Sequence, residues 1–169
     1  MASLLHIAVG AAAGRALSGR RSLPASLLGV ALSMLPDADV VAFVVGIPYA
    51  HSFGHRGATH SIAFAVSCGL LAAIVARMRG GHALRWGAGL GLVVLSHPLL
   101  DMLTTGGLGV ALWWPVLDDR IFAPWRVIPV APIGMGMLSR RGLWVILAEL
   151  GPSLPMLFYA LWPTPQSKA

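Results

Sequence analysis

Charge is what this sequence has least of. Only 11% of its 169 residues are Asp, Glu, Lys or Arg, 57% are hydrophobic, and the mean hydropathy is +0.78. A soluble domain of this size would lack the polar groups to cover itself, so lipid must solvate much of the surface. There is one cysteine, Cys68, which excludes an intramolecular disulfide and any multi-cysteine zinc site. Any metal must therefore be held by His and carboxylate. Acids are scarcer than bases, six against eleven arginines and one lysine, for a net charge of +6. The cations stand in short clusters between apolar runs and form no continuous basic face, which suits topology signals and anionic head groups and argues against a nucleic-acid partner. No basic stretch precedes the apolar residues 1–16, so they are expected to be mature structure and not a signal peptide. Neither an internal repeat nor a low-complexity tract is present.

What remains is a set of apolar runs at membrane length. The expected fold is all-α, a polytopic membrane bundle of four or five spans at roughly 20 residues each, in a single domain covering residues 1–169. The clearest run is 61–76, followed by the basic turn of Arg77, Arg79, His82 and Arg85. A second runs from 86 to 103, and a third from 143 to 162, where Pro152 and Pro155 should kink it. Residues 4–17 are short for a crossing. Residues 23–47 are long enough but carry LPDAD at 35–39, where Pro36 should push Leu35 out of the helical region, break the span and open a second half-helix with Asp37 in its first turn. Residues 103–132, rich in Gly, Pro and Trp, read as a cap or re-entrant region, with Trp113, Trp114 and Trp125 suited to an interfacial belt.

The basic clusters orient these runs. With Arg15, Arg20 and Arg21 in the cytoplasm, 23–47 leads outward and 61–76 returns to a cytoplasmic turn at 77–85. His97 and Asp101 then follow Arg85 by about 18 and 24 Å of helical rise, on the same outer level as His6, Asp37 and His60. Arg140 and Arg141 would need another crossing between residues 127 and 139, which is short for one.

These polar residues carry the chemistry. His97 and Asp101 share a helical face at i and i+4, a spacing at which two side chains can share an ion; hydrogen-bonded packing glue is the alternative. Both groups are expensive inside a membrane, which favours function. HRGATHS at 55–61 joins His55 and His60 to Arg56 and two hydroxyls ahead of an apolar helix. Thr59 or Ser61 can cap that helix, and Arg56 with the local amides would favour an anion such as phosphate, unless the stretch is only a solvated loop. Asp37 and Asp39 lie about 200° apart on a helix, so one ion cannot take both without irregular backbone. Asp37 is the expected ligand, and Asp39 a group that orients a ligating His or holds a second ion. His6 gains weight only from the other four. His51 and His82 are read as loop residues, Cys68 as a small core residue, and Asp118, Asp119 and Arg120 as a surface charge cluster in preference to a lid contact. Glu149 is the intramembrane acid without a role.

In the same order, the helix with His6, LPDAD, HRGATHS and SHPLLDMLTTGG with its following Trp and Pro residues resemble the YdjM-like family of LexA-regulated, inner-membrane metal-dependent hydrolases. The likeness covers residues 1–126; the helical segment 127–162 carries no recognised motif. The order of ligands is also similar, more remotely, to the zinc phospholipase C and single-strand nuclease superfamily, whose multi-zinc sites cleave phosphodiesters. That likeness puts His6, Asp37, His60, His97 and Asp101 at ligand positions and His55 at a motif position. Those enzymes use further downstream ligands, and no His follows His97 here, so one or two ions are expected. The resulting expectation is a membrane-bound hydrolase of a lipid phosphomonoester or phosphodiester, multi-pass in the bacterial inner membrane, with its site on the extracytoplasmic side. Lipid is both solvent and substrate, and Zn²⁺ is the expected cofactor, with Mn²⁺ or Mg²⁺ as alternatives. Metal would be bound by His6, Asp37, His60, His97 and Asp101, proton chemistry would fall to Asp39 and His55, and the substrate phosphate to Arg56 and Thr59. The rivals are an ion or metal transporter, and a regulatory membrane protein with a structural metal.

Overall fold

The computed structural model describes residues 4–163, and among them the regular structure is helical. Helices α1 (Leu4–Ser18) and α2 (Leu23–Met34) form an antiparallel hairpin. Gly19, with φ +71°, supplies the left-handed residue that ends α1, and the Ser22 hydroxyl accepts from Ala25 N at 3.4 Å to start α2. The two backbones touch. A Cβ on Gly10 would lie 2.6 Å from the carbonyl oxygen of Gly29, and one on Gly14 only 2.1 Å from that of Ala25. Such close approach replaces the hydrophobic drive that helices lose in lipid. A second hairpin, α3 (Ile62–Met78) with α4 (Ala83–Met102), uses the same device, since a Cβ on Gly69 would meet the Gly87 carbonyl at 2.9 Å. Ser61 caps α3 by accepting from Phe64 N at 3.1 Å.

Helix α5 (Arg140–Leu161) lies against α1 and buries one stripe, Gly142, Val145, Glu149, Ser153 and Ala160, while Leu143, Leu147, Leu154 and Phe158 stay exposed. Both ends of α1 are tied to it. Leu5 N donates to Glu149 Oε2 at 3.0 Å, and the Arg15 guanidinium donates to the carbonyls of Tyr159 and Trp162 while lying 4.8 Å from the Tyr159 ring centroid. The two helices therefore run in the same direction. Glu149 thus has a role, as acceptor for the amino end of α1.

The parallel pairing also settles how α4 reaches α5. Residues 103–139 stay at the end of the bundle where α4 finishes, so Arg140 and Arg141 stand at that same end without another crossing between 127 and 139. This segment is the expected cap. Val110 and Ile121 exchange two hydrogen bonds of 3.0 Å, Ala111 N reaches Arg56 O, Ile62 N reaches Leu112 O, and Val110 and Ala111 are wholly buried.

The expected break at Leu35 and Pro36 is a change of winding. Leu35 remains helical at φ −57°, ψ −39°, and the chain continues as a 3-10 helix, Leu35–Phe43, with Pro36 in its first turn. A 3-10 turn drops the α-type bond that proline cannot make and keeps the rod continuous. Three segments are long and apolar enough to cross a membrane, Leu23–Phe43, Ala83–Met102 and Arg140–Leu161, and the apolar helices α1 and α3 are shorter. The run at 61–76, the clearest in the sequence, belongs to the shorter class.

Candidate metal centre

Four segments deliver one polar cluster of five residues. His6 comes from the first turn of α1, Asp37 from the start of the 3-10 winding, His60 from a single 3-10 turn, Ala58–His60, and His97 and Asp101 from α4. His60, His97 and Asp101 have no solvent exposure, His6 is 3% exposed and Asp37 8%. Asp37 Oδ1 lies 3.7 Å from His60 Nε2 and 3.5 Å from His97 Nε2, and Asp101 Oδ2 lies 3.5 and 3.7 Å from the same two nitrogens. Four donors around one ion at bonds of about 2.1 Å would stand about 3.4 Å apart in a tetrahedron, so the separations are those of a ligand set and not of direct hydrogen bonds. His6 Nε2 adjoins at 4.0 Å from Asp101 Oδ1, its ring 4.2 Å from that of His97.

The histidines are turned to present the same nitrogen. His97 Nδ1 lies 2.7 Å from the Ser33 carbonyl, which can only accept, so Nδ1 carries the proton and Nε2 its lone pair. His60 Nδ1 faces Asp39 Oδ2 at 3.2 Å, which fixes Nε2 inward in the same way. His60 Nε2, His97 Nε2 and both Asp101 oxygens find no hydrogen-bond partner among the described residues, although Arg56 Nε approaches Asp101 Oδ2 as an ion pair at 2.9 Å. A buried polar atom left so costs about 1–3 kcal/mol, and a divalent cation at their centre would satisfy all of them at once. The field agrees. Burial by itself lowers the pKa of His60, yet Asp101, Asp37 and Asp39 outweigh it and push it up to about 10, which marks a place where positive charge is favoured. Nitrogen and carboxylate donors without sulfur suit Zn²⁺ or Mn²⁺.

Asp39 organises an adjoining group. Its Oδ1 accepts from His55 Nδ1 at 2.7 Å, and its Oδ2 from Arg56 N at 3.1 Å and Thr59 Oγ1 at 2.8 Å. Asp39, His55 and His60 also stand close enough to hold an ion of their own. A 3-10 step of about 120° per residue separates Asp37 from Asp39, which is why neighbouring acids serve neighbouring groups. Tyr49 packs its ring edge-on at 5.1 Å from that of His55, and burial raises its phenol pKa.

Arg56 is the strained residue of the site. Its φ is +63°, a left-handed value that costs a non-glycine residue about 1–2 kcal/mol. It is held there by Asp39 at its amide, by Ala111 at its carbonyl, and by Thr104 Oγ1 and Gly106 O, which accept from Nη1 at 3.1 and 3.0 Å. Gly107 must lack a side chain, since a Cβ would sit 2.8 Å from Arg56 Nη1. The guanidinium is thus buried beside Asp101, and Thr59 turns its hydroxyl to Asp39. The cap fastens over them through Arg120, which donates to the carbonyls of His55 at 2.8 Å and of Tyr49 and His51 at 3.0 Å, while Ser52 donates to Asp118. Arg120 is therefore a lid contact and not part of a surface charge cluster. His51 and His82 lie in exposed loops as expected, and Cys68 is half-buried on α3.

All nine residues expected at the site are brought together. Ser33, Thr104 and Tyr49 are further members that the sequence did not single out. Ser33 left a signal, a hydroxyl in an apolar helix one turn before Asp37; it is fully buried, donates to His6 O at 2.9 Å and offers its own carbonyl to His97.

Fold and site together define an all-α integral membrane protein with a buried His and Asp cluster able to hold a metal ion. The chain belongs to the YdjM inner membrane protein family, which it matches over residues 1–164, through α5. It is 45% identical over 152 residues to the inner membrane protein YbcI of Escherichia coli (strain K12), an alignment covering 87% of each chain. No solved structure matches.

Proposed function

We propose that the protein is a membrane-bound, metal-dependent hydrolase acting on a phosphate ester of a lipid. The observation that carries this reading is the convergence of His60 Nε2, His97 Nε2, Asp37 and Asp101 at ligand separations, with each imidazole held from behind by an acceptor. One or two divalent ions, Zn²⁺ first, would be held by these four with His6. When bound, such an ion supplies Lewis acidity and a lowered pKa for water.

The remaining steps belong to the protein. Asp39 holds His55 with Nδ1 protonated, so His55 Nε2 is the ring atom that can take up or return a proton. Asp39, fully engaged as an acceptor, acts as the positioning group of that pair. Arg56 holds Asp101 in place and supplies the fixed positive charge beside which a phosphoryl oxygen would be favoured; Thr59 steadies Asp39. A lipid substrate is supported by the location of the cluster near the end of apolar helices. The arginines at the opposite end, Arg20, Arg21, Arg77, Arg79 and Arg85, support a cytoplasmic location for that end and an extracytoplasmic one for the site.

The test is elemental analysis of the detergent-purified protein beside His97→Ala, followed by turnover of lipid phosphomonoesters and phosphodiesters. Wild type should carry stoichiometric divalent metal and release phosphate or head group, and the variant should lose both while still inserting. Metal-free wild type, or full turnover by the variant, overturns the proposal. The complete burial of His60, His97 and Asp101 favours one second reading, a structural ion, which predicts bound metal and no hydrolysis.

A further inference from the structure

All six acids belong to the site or to the cap end of the bundle, with Glu149 tied to the start of α1. At the opposite end, formed by the turns α1–α2 and α3–α4, the charged side chains among the described residues are arginines, with His82 beside them. Arg15 is occupied with the last carbonyls of α5, while Arg20, Arg79 and Arg85 are exposed, Arg85 donating from one Nη to Ala16 O at 3.1 Å. Two concavities meet there. One is a groove of about 450 Å³ between α2, α3 and α4, almost wholly apolar, lined by Leu28, Leu32, Cys68, Ala72, Val75 and Trp86 and closed at the turn by Arg79. The other is a polar pocket of about 500 Å³ around Ser18, Arg20, Ser22 and Arg85, and Leu28 and Trp86 line both. From Leu28 to Leu35 the groove follows the helix toward mid-membrane for about 10 Å.

We propose that this end binds one anionic phospholipid, with an acyl chain in the groove and the phosphate between Arg20, Arg79 and Arg85. The charge selects the occupant. With several guanidinium groups and no carboxylate among the described residues at that end, a zwitterionic lipid would bring a cation that none of them can pair, whereas an anionic one brings net negative charge. The apolar groove selects a lipid over a soluble phosphate, since a hydrated anion leaves it unfilled. The site is separate from the His and Asp cluster and does not depend on hydrolysis.

The experiment uses the full chain, delipidated in neutral detergent, and measures thermal stability on adding phosphatidylglycerol, phosphatidylcholine or inorganic phosphate. Lipids retained in nanodiscs of equal phosphatidylglycerol and phosphatidylcholine content are read by native mass spectrometry. Phosphatidylglycerol should raise the melting temperature and be retained at least tenfold over phosphatidylcholine, and inorganic phosphate should do nothing. Arg79→Gln with Arg20→Gln should remove the head-group preference, and Ala72→Trp should fill the groove and lower retention of either lipid, with metal content unchanged in both variants. Equal retention of the two lipids by wild type overturns the proposal, as does an equal effect of inorganic phosphate, or full phosphatidylglycerol preference in Arg20→Gln/Arg79→Gln. The wild-type comparison decides the matter even where a variant fails to fold.

Discussion

Each oxygen of Asp39 accepts from the protein, and two imidazoles take their orientation from it. Carboxylates that act on a ligating His from behind cost about 10–100-fold in metal affinity when removed. Asp39→Asn should therefore weaken metal retention by about that factor in a chelator competition. His55→Ala should do the opposite, keeping its metal while turnover falls by about 10²-fold or more, as expected for loss of a general base. A variant that loses metal and activity together would move His55 into the ligand set. The donors were legible because each breaks a rule of its surroundings, a charge or imidazole in an apolar helix. Asp39 was legible as an orienting group from its two-residue offset from Asp37. The commitment of Arg56 to Asp101 and of Thr59 to Asp39 was not, since a sequence does not show which way a long side chain in a loop turns, or that its backbone is left-handed. Ser33 acts partly through its carbonyl, a group every residue has.

Helix α1 is too short to be held by lipid exposure alone, and it must still bring His6 to the cluster. Its amino end rests on Glu149, its carboxyl end is linked by Arg15 to α5, and its Gly10 and Gly14 seat it on α2. Glu149→Ala leaves the Leu5 amide without its acceptor in a buried place and should lower stability by about 1–3 kcal/mol in a detergent unfolding series. Glu149→Gln keeps a carbonyl oxygen and should lose less than half of that. An equal loss in both would mean that the charge, acting on the α1 dipole, is the larger part. Gly14→Leu should be more severe, because a Cβ there meets backbone at 2.1 Å that no rotamer can relieve. The small-residue faces at Gly10, Gly14 and Gly69 show themselves only in the packing. Which helices they join was not legible in the sequence, because Gly fits any close approach.

Across the whole molecule, the all-helical membrane class and the cap were legible from hydropathy and from Gly and Pro content, but the C-terminal third was not. Reading Arg140 and Arg141 by the positive-inside rule alone demanded a crossing that 127–139 is too short to make. Contacts too distant in sequence to be read there, Leu5 to Glu149 and Arg15 to Tyr159, run α5 parallel to α1 and keep Arg120, Arg126, Arg140 and Arg141 at the cap. The charge at the two ends is thus less lopsided than a count by loops suggests, although acids accompany the arginines only at the cap. The larger unopposed cluster, at the α1–α2 and α3–α4 turns, should govern orientation. Single cysteines placed in a Cys68→Ser background test this. A cysteine at Asp119 or Met135 should react with a membrane-impermeant maleimide in intact cells, and one at Gly80 or His82 only after the inner membrane is breached. Labelling of 119 and 80 from the same side would contradict the fold. The reverse pattern would keep the fold and put the His and Asp cluster in the cytoplasm, where the substrate would have to be a lipid of the inner leaflet.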